Sequence, residues 1–366
     1  MRRFAIALLA AAAAAVALPA TASALTDPTP VYAYYYIWFN PSSWKRAKTD
    51  MPQLGTYSSD EQTVMRQHIR LAKRAGINGF IVSWKSTPTL DERLEKLIAV
   101  AERERFKLMV IYQGLDFERR PLPIAKVAGD LDLFERTYAH SPVFDGFGKP
   151  VVVWSGTWEF SPKQIAQVTE RHRDGLTVLA SERNPYDYEA KDRLFDGNAY
   201  YWGAVNPDTY PVYDEKLRKM GAAAHKRGGL WIAPAAPGFD ARLVGGHTVV
   251  KRKGGDTLRR ELDAAQQSSP DVIGLISWNE FSENTHVEPS RNHGGTALDV
   301  LADVRGTSFE YKGEFDSSGP QGRQDSAIGS IGKLVGFIGA LALVLFALRW
   351  RRRRASWRPD PVWPPR

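Results

Sequence analysis

The chain has 366 residues, 43% of them hydrophobic and 25% charged, which is an ordinary globular composition with length for one large core. Its net charge of +8 comes from Arg2, Arg3 and the arginine-rich residues 349–366, so the neutral remainder predicts no nucleic-acid partner. The sequence contains no cysteine, which excludes disulfides and thiolate metal sites.

The first 24 residues have the features of a secretory signal peptide. Arg2 and Arg3 form a positive start, residues 4–18 are apolar and alanine-rich, and residues 22–24 (Ala-Ser-Ala) match a small-residue cleavage site. We therefore predict a signal peptide over residues 1–24, the alternative being an uncleaved N-terminal anchor. The body of the protein is then expected outside the cytoplasm.

Residues 25–306 alternate strand-like apolar runs with helical patterns eight times. Ser161 followed by Pro162 is a typical helix start, because serine caps the helix and proline suits its first turn. Residues 185–195 are less regular and are predicted as a loop with one short helix. The predicted strands span residues 31–39, 79–84, 108–113, 151–154, 176–181, 199–202, 230–235 and 272–278.

The strand pattern predicts an α/β fold, a single (β/α)8 TIM barrel. Most of the strands are continuous apolar runs, which is typical of parallel strands covered by helices. Eight strand–helix units in about 280 residues also match the size of this barrel. The alternative is a doubly wound open sheet. No glycine-rich phosphate turn follows the first strand, which argues against that alternative.

The predicted strand ends are rich in aromatic and polar residues. In a TIM barrel the active site lies at the carboxyl ends of the strands. Flat aromatic faces pack on sugar rings, so this composition favours a carbohydrate-binding cleft. The substrate-binding candidates at these strand ends are Tyr36, Trp38, Trp84, Gln113, Trp154, Glu182 and Tyr201.

The end of the eighth strand carries the densest polar cluster. Glycoside hydrolysis commonly uses two carboxyl groups, so Glu280 at the strand tip and Glu283 three residues later are the catalytic candidates. Asn279, His286 and Glu288 are further substrate-binding candidates. Alternatively, Glu288 forms a structural ion pair with an arginine. The histidine is expected to support a carboxylate by hydrogen bonding, rather than to carry a proton or bind a metal.

Residues 277–289, Ser-Trp-Asn-Glu-Phe-Ser-Glu-Asn-Thr-His-Val-Glu-Pro, resemble the strand-eight signature of glycoside hydrolase family 99. This family comprises endo-α-1,2-mannosidases and mannanases. Four further stretches are similar to the family, three of them in the family's order, and the resemblance runs over roughly residues 31–304. These stretches are residues 34–38, 147–153, 237–242 and 252–255. Phe281, Ser282 and Asn284 depart from the family's usual Trp, His and Gly.

The resemblance implies a retaining endo-glycosidase that works without metal or cofactor on α-linked, mannan-like glycans. In the family's proposed mechanism the sugar's own 2-hydroxyl is the internal nucleophile. By position, Glu280 would deprotonate this hydroxyl to give a 1,2-anhydro sugar. Glu283 would protonate the leaving oxygen and later activate water. The departures in the loop around Glu283 put the substrate in question more than the chemistry.

Three alternatives to this function stay open. Related barrel families cut α-1,3-glucans, so the substrate could be a glucan. A barrel of this kind could also bind glycans at the cell surface without cutting them, although such binders often lose the two carboxylates. The third is a sugar-modifying enzyme or an envelope-assembly partner that uses a membrane anchor as a scaffold.

The C-terminal 60 residues predict a membrane anchor. Residues 307–326 are rich in glycine, serine and charge and are read as a spacer. Residues 327–348 contain an uncharged apolar core, and arginines follow at once, which is a stop-transfer pattern. We predict a transmembrane helix at residues 327–348, against the alternative of a buried core helix. The basic tail, residues 349–366, would be cytoplasmic, and the catalytic domain of this single-pass cell-membrane protein would face outward.

Overall fold

The computed structural model describes residues 29–46 and 48–313. The predicted signal peptide (1–24), transmembrane helix (327–348) and tail (349–366) lie outside these ranges, as does most of the predicted spacer. Within the described ranges, no helix combines the length and the apolar character needed to cross a membrane. The export signal and the anchor therefore stay predictions from sequence.

Eight strands and eight helices alternate along the described chain, as predicted. A small antiparallel hairpin, Phe239–Asp240 with Val249–Val250, lies between the seventh strand and the seventh helix. The strands are β1 Val31–Tyr36, β2 Gly79–Trp84, β3 Lys107–Gln113, β4 Val151–Ser155, β5 Thr177–Leu179, β6 Gly197–Ala199, β7 Leu230–Ala235 and β8 Val272–Leu275. The helices are α1 Gln62–Arg74, α2 Pro88–Glu104, α3 Ile124–Thr137, α4 Pro162–His172, α5 Pro185–Glu189, α6 Tyr213–His225, α7 Asp256–Gln266 and α8 Thr296–Arg305.

The eight strands form a nearly closed parallel barrel. Their order in the sheet is β5-β4-β3-β2-β1-β8-β7-β6, so every strand lies beside its neighbour in the chain and β1 also pairs with β8. A parallel bridge between Ala180 and Asn198 joins the ends of β5 and β6. This sequential order differs from that of a doubly wound sheet, which reverses direction in the middle. The predicted TIM barrel is confirmed, and the open-sheet alternative is wrong.

Local sequence signals account for several element boundaries. Ser161 caps α4 in a reciprocal capping box with Gln164, as the Ser-Pro pair predicted.

The sixth strand lies earlier than the predicted residues 199–202. It begins at Gly197, where φ is +147° and an added Cβ would lie 2.1 Å from the carbonyl oxygen of Leu230. Glycine is required at this close approach, which an apolar-run argument does not detect.

Successive strand side chains point alternately into the barrel and out to the helices. Tyr34 and Ile81 belong to the inner cluster, whereas Trp84 and Trp154 belong to the outer core between strands and helices. The Trp84 indole N–H donates to the Asp91 carboxylate of α2 at 2.9 Å, and both indoles are fully buried. The prediction that Trp84 and Trp154 bind substrate is therefore wrong, because strand periodicity turns both away from the barrel interior.

Replacing a buried and an exposed tryptophan should lower the free energy of unfolding by different amounts. Trp84→Ala leaves a large cavity in the outer core and should lower the free energy of unfolding by about 3–5 kcal/mol. The control is Trp38→Ala, at a side chain that is 41% exposed, which should cost about 1 kcal/mol or less. Chemical denaturation of the two variants measures both values. Equal losses would contradict the buried position of Trp84.

Candidate active site

The two candidate catalytic glutamates lie on a tight turn that follows β8. The Glu280 carboxylate accepts a hydrogen bond from the Ser282 backbone N–H at 2.8 Å, and its own N–H donates to the Ser277 hydroxyl at 2.8 Å. The Thr285 N–H returns to the Glu280 carbonyl at 3.2 Å, which closes the turn. Glu280 is buried and Glu283 half-buried. The turn therefore brings both carboxyl groups to one place at the carboxyl end of the barrel.

The two carboxyl groups have unequal surroundings. Burial, and secondly the neighbouring Glu280, raise the pKa of Glu283 to about 7, and Arg119 only partly opposes this. Burial also raises the pKa of Glu280, but hydrogen bonds from Ser282 and from the Glu283 backbone N–H, together with the charge of Lys48, act against that rise. Glu280 therefore has more groups that stabilise its ionised form. Near neutral pH, Glu283 is the carboxyl group that is more readily protonated.

Three of the predicted aromatic residues adjoin this pair. Tyr36, at the end of β1, and Tyr201, just after β6, hydrogen-bond to each other through their hydroxyl groups. Burial raises the pKa of both phenols well above the ordinary value, and the charges of Glu280 and Glu283 add to the effect, so all four groups lie close together. The ring of Trp38 packs on Tyr36 with centroids 4.3 Å apart and stays largely exposed. Together these rings form an aromatic wall beside the carboxyl pair.

Asn279 fixes the position of this wall relative to the glutamates. Its side-chain oxygen accepts from the Tyr36 N–H at 2.8 Å, and its amide N–H₂ donates to the Tyr36 carbonyl at 3.0 Å and to the Tyr57 hydroxyl at 3.3 Å. The residue is fully buried and bonded to the protein. The structure therefore places Asn279 beneath the site as a support, where it was predicted to contact substrate.

Glu288 lies deeper still. Its carboxylate accepts from the Tyr57 hydroxyl at 2.8 Å and contacts His68 Nε2 at 3.2 Å. The other ring nitrogen of His68 bonds the Tyr35 hydroxyl at 3.0 Å. All four side chains are buried. The predicted substrate contact of Glu288 is corrected to a place in this buried network, and its partners are a tyrosine and a histidine rather than an arginine.

His286 is also a support. Its Nε2 contacts the Asp50 carboxylate at 3.2 Å, and its ring stacks on Phe281 with centroids 4.0 Å apart. Burial lowers the pKa of His286 to about 3, so the ring is neutral at ordinary pH. Arg252 donates to the carbonyl oxygens of Asn284 and His286 at 2.8 and 2.7 Å. As predicted, the histidine hydrogen-bonds a carboxylate, and it is buried with its ring between protein partners.

The last two candidates differ from each other. Gln113 ends β3 half-buried, and its amide N–H₂ donates to the Ser83 hydroxyl at 3.0 Å. It stays a candidate for contact with substrate. Glu182 is fully buried and forms an ion pair with Lys191 at 2.8 Å. The structure does not bring Glu182 to the carboxyl pair, so the prediction that it binds substrate is corrected to a structural ion pair.

Sequence reasoning missed two cations beside the glutamates. Lys48 donates from Nζ to the Ser282 hydroxyl at 3.3 Å, and its charge acts on Glu280. The charge of Arg119 acts on Glu283 from the loop after β3, where Arg119 takes a positive φ of 60°. Both lie in irregular loops far from residue 280 in sequence, and neither has a periodic or motif signal.

The residues that depart from the family pattern are each accommodated in the loop. Asn284 has a φ of 55°, a left-handed conformation that asparagine tolerates better than most residues, at the position where the resembled family has glycine. Phe281 packs between His286 and Trp44, whose ring centroid is 5.6 Å away. Ser282 bonds Lys48 through its hydroxyl. The loop thus keeps a glycine-like backbone while its side chains differ.

Comparison with known proteins agrees with this geometry. A family model, "Glycosyl hydrolase family 99", matches residues 45–304, which is more than half of the chain. The chain belongs to glycosyl hydrolase family 99. A glycoprotein endo-α-1,2-mannosidase of Rattus norvegicus is 24% identical over 274 residues, covering 68% of this chain and 59% of that protein. A glycoprotein endo-α-1,2-mannosidase-like protein of Danio rerio is 22% identical over 265 residues, covering 66% and 59%. The chain therefore spans about 59% of the length of these family 99 relatives.

Solved structures show the same fold. The family 99 endo-α-mannosidase of Bacteroides thetaiotaomicron superposes with a TM-score of 0.67 at 18% identity, covering 78% of this chain and all of that one. The same bacterial enzyme in complex with bis-tris propane gives a TM-score of 0.65 at 20% identity, covering 77% of this chain and all of that one. At these identities the likeness establishes the family's barrel.

The raised pKa of Glu283 predicts a pH-dependent stability. Its folded-state pKa of about 7 lies above the ordinary value of 4.5, so between these values the folded protein binds more protons than the unfolded chain. This carboxyl group therefore makes the protein less stable as pH rises through that window. Glu283→Gln should gain stability relative to wild type at pH 8 compared with pH 5, measured by urea unfolding. A matched change at the exposed Glu159 should show no such gain, and an equal response of both variants would contradict the assignment.

Proposed function

We propose that this protein is an endo-acting, retaining glycosidase for α-linked, mannan-like glycans. The observation that carries the proposal is the unequal pair Glu280 and Glu283, held together at the carboxyl end of the barrel beside an aromatic wall. Sugar cleavage through a positioned base and acid needs two such carboxyl groups with different proton affinities. Membership of glycosyl hydrolase family 99 supports the reaction class.

In the first step Glu280 acts as the base. It takes the proton of the sugar 2-hydroxyl, whose oxygen bonds to C1 while the bond from C1 to the leaving oxygen breaks. Glu283 gives its proton to that leaving oxygen. Hydrogen bonds from backbone N–H groups and the charge of Lys48 favour the ionised form of Glu280 that this step requires. The product of the step is a 1,2-anhydro sugar.

In the second step Glu283 acts as the base. It takes a proton from water, whose oxygen bonds to C1 as the bond from C1 to O2 breaks, and Glu280 returns its proton to O2. Two inversions at C1 give net retention. A pKa of about 7 suits a group that must first give and then take a proton near neutral pH. The neutral phenols of Tyr36 and Tyr201 line the same place and can hydrogen-bond sugar hydroxyls.

The substrate class rests on the relatives and on the loop. The rat relative is named a glycoprotein endo-α-1,2-mannosidase, and the fish relative is named a protein like it. Asn284 takes a left-handed backbone where the resembled family has glycine, whereas Phe281 and Ser282 change the side chains beside Glu283. An α-1,3-glucan is therefore the second substrate candidate. The alternative that is not an enzyme is a barrel that binds glycans without cutting them.

The activity test compares both glutamates on a panel of α-mannans and α-1,3-glucans. Glu283→Gln should lower kcat/KM on polysaccharide by roughly 10²- to 10⁴-fold, as expected for loss of a general acid. It should lose less in the first step on an aryl glycoside whose leaving group needs no proton. Glu280→Gln should lose the first step on both substrates. Released sugars are measured by chromatography, and the first-formed anomer by NMR.

The exposed Glu159 provides the control, and Glu159→Gln should keep wild-type rates. Release of the β-anomer first would contradict retention. Wild-type protein that binds the panel but cuts none of it would favour the non-catalytic alternative.

We further propose that the barrel is exported and tethered to the cell membrane by a single helix. The support is the signal-peptide pattern at residues 1–24, the apolar segment at residues 327–348 and the arginines that follow it. Protease added to intact cells should digest the barrel and spare the tail, detected with one epitope inserted after residue 24 and a second at the C-terminal end. Protection of the barrel in intact cells, with digestion only after lysis, would overturn this topology.

A further inference from the structure

Arg183, which follows β5, packs on two tryptophan rings. The centre of its guanidinium lies 4.0 Å from the Trp158 ring centroid and 5.3 Å from that of Trp202. Both distances are within the range of cation–π attraction. All three side chains are half-buried. The two indoles therefore position the guanidinium, and its N–H groups are its means of recognition.

This guanidinium lacks a protein counter-charge. In the part of the chain that the structure describes, no carboxylate oxygen lies within 4.0 Å of an Arg183 nitrogen, and the buried Nε has no hydrogen-bond partner. Its sequence neighbour Glu182 pairs with Lys191 instead. The Asp187 carboxylate, on α5, accepts from the Asn184 side-chain amide at 2.6 Å, and the Asp187 N–H donates to the Asn184 side-chain oxygen at 2.9 Å. Since no carboxylate of the described residues pairs with it, the arginine keeps an unneutralised charge.

The cluster lies at the functional end of the barrel. Trp158, Arg183 and Trp202 follow β4, β5 and β6, at the carboxyl ends where the candidate active site also lies. Trp202 directly follows Tyr201, whose hydroxyl bonds Tyr36 beside the carboxyl pair. The arginine therefore lies at the same end of the barrel as the glutamates, in the loops that continue from β5 and β6.

We propose that Trp158, Arg183 and Trp202 form a subsite for an anionic substituent of the glycan, a uronate carboxylate or a phosphate ester. This inference rests on the proposed function, because it deepens the substrate class of the same site. The N–H edge of a guanidinium matches two oxygens of either anion, and the charge assistance makes such bonds short and strong. The indoles add a surface for the sugar that carries the anion.

If Arg183 had a purely structural role, it would make the same contacts with the two tryptophans, but its positive charge would have no function. An arginine that only packs on tryptophan does not distinguish a charged glycan from a neutral one. The two roles therefore predict different ligand preferences, and the difference is measurable without turnover.

The test is equilibrium binding by calorimetry with full-length protein in detergent, carrying Glu283→Gln so that the ligand survives. The ligands are α-linked mannotetraose, its monophosphates and its monouronates, with the charge placed on each sugar in turn. We expect at least one charged ligand to bind more tightly than the neutral one. Adding Arg183→Gln should weaken that ligand roughly 10- to 100-fold and leave the neutral tetraose unchanged.

Two controls separate charge from geometry and from folding. Arg183→Lys keeps the charge but loses the planar edge, so it should recover only part of the preference. Arg103→Gln removes a charge from the exposed end of α2 and should change nothing. Higher ionic strength should weaken only the charged ligand. Preference for the phosphate or the uronate identifies the natural substituent.

Equal binding of charged and neutral ligands, or a preference that survives Arg183→Gln, overturns the inference, and so does failure of every charged ligand to bind. These outcomes are distinct from failure of the proposed function, which is judged on cleavage of neutral polysaccharide by wild-type protein.

Discussion

The side chain of Asn279 holds together the two parts of the candidate site. It satisfies both the N–H and the carbonyl of Tyr36, and it reaches the hydroxyl of Tyr57. Tyr36 ends β1, and Glu280 immediately follows Asn279, so one amide group ties the aromatic wall to the segment that carries Glu280. A buried backbone group without a partner is costly, which makes any other arrangement of these segments unfavourable.

Beneath this amide lies a layer of buried polar groups that are bonded to each other. Glu288 joins Tyr57 and His68, and His68 reaches Tyr35 on β1. Asp50 and His286 form a second buried polar contact, which holds the loop that carries Glu283. Such networks stabilise a unique arrangement when their members are paired. The candidate site therefore rests on buried polar residues whose partners belong to the protein itself.

The sequence was enough to predict the barrel, its eight units and the location of the carboxyl pair. Each of these depends on local patterns, namely apolar runs, helix starts and the motif after β8. The strand residues were assigned less well, because an apolar run does not say which alternate side chains face inward. Trp84 and Trp154 were misplaced for this reason, whereas Tyr36 shares the inward parity of Tyr34.

The site residues that the sequence did not predict come together only when the barrel closes. Lys48 and Arg119 reach the glutamates from loops more than 150 residues earlier, so their approach exists only once the barrel has formed. The support roles of Asn279, His286 and Glu288 were hidden in the same way. Each has the residue type of a substrate ligand, and only the burial of its partners shows otherwise.

The junction between β5 and β6 closes the barrel with the help of a side chain. The Ala180 N–H donates to the Gly197 carbonyl at 2.9 Å, and the bridge of Ala180 with Asn198 continues this pairing beyond the end of β5. The Asn198 side chain then accepts from the Glu182 N–H at 2.8 Å and donates to the Glu182 carbonyl at 3.3 Å. An amide side chain therefore takes the place of a neighbouring strand where the regular sheet ends. Because Arg183 directly follows Glu182, the backbone that carries the arginine is held by Asn198 of the next strand.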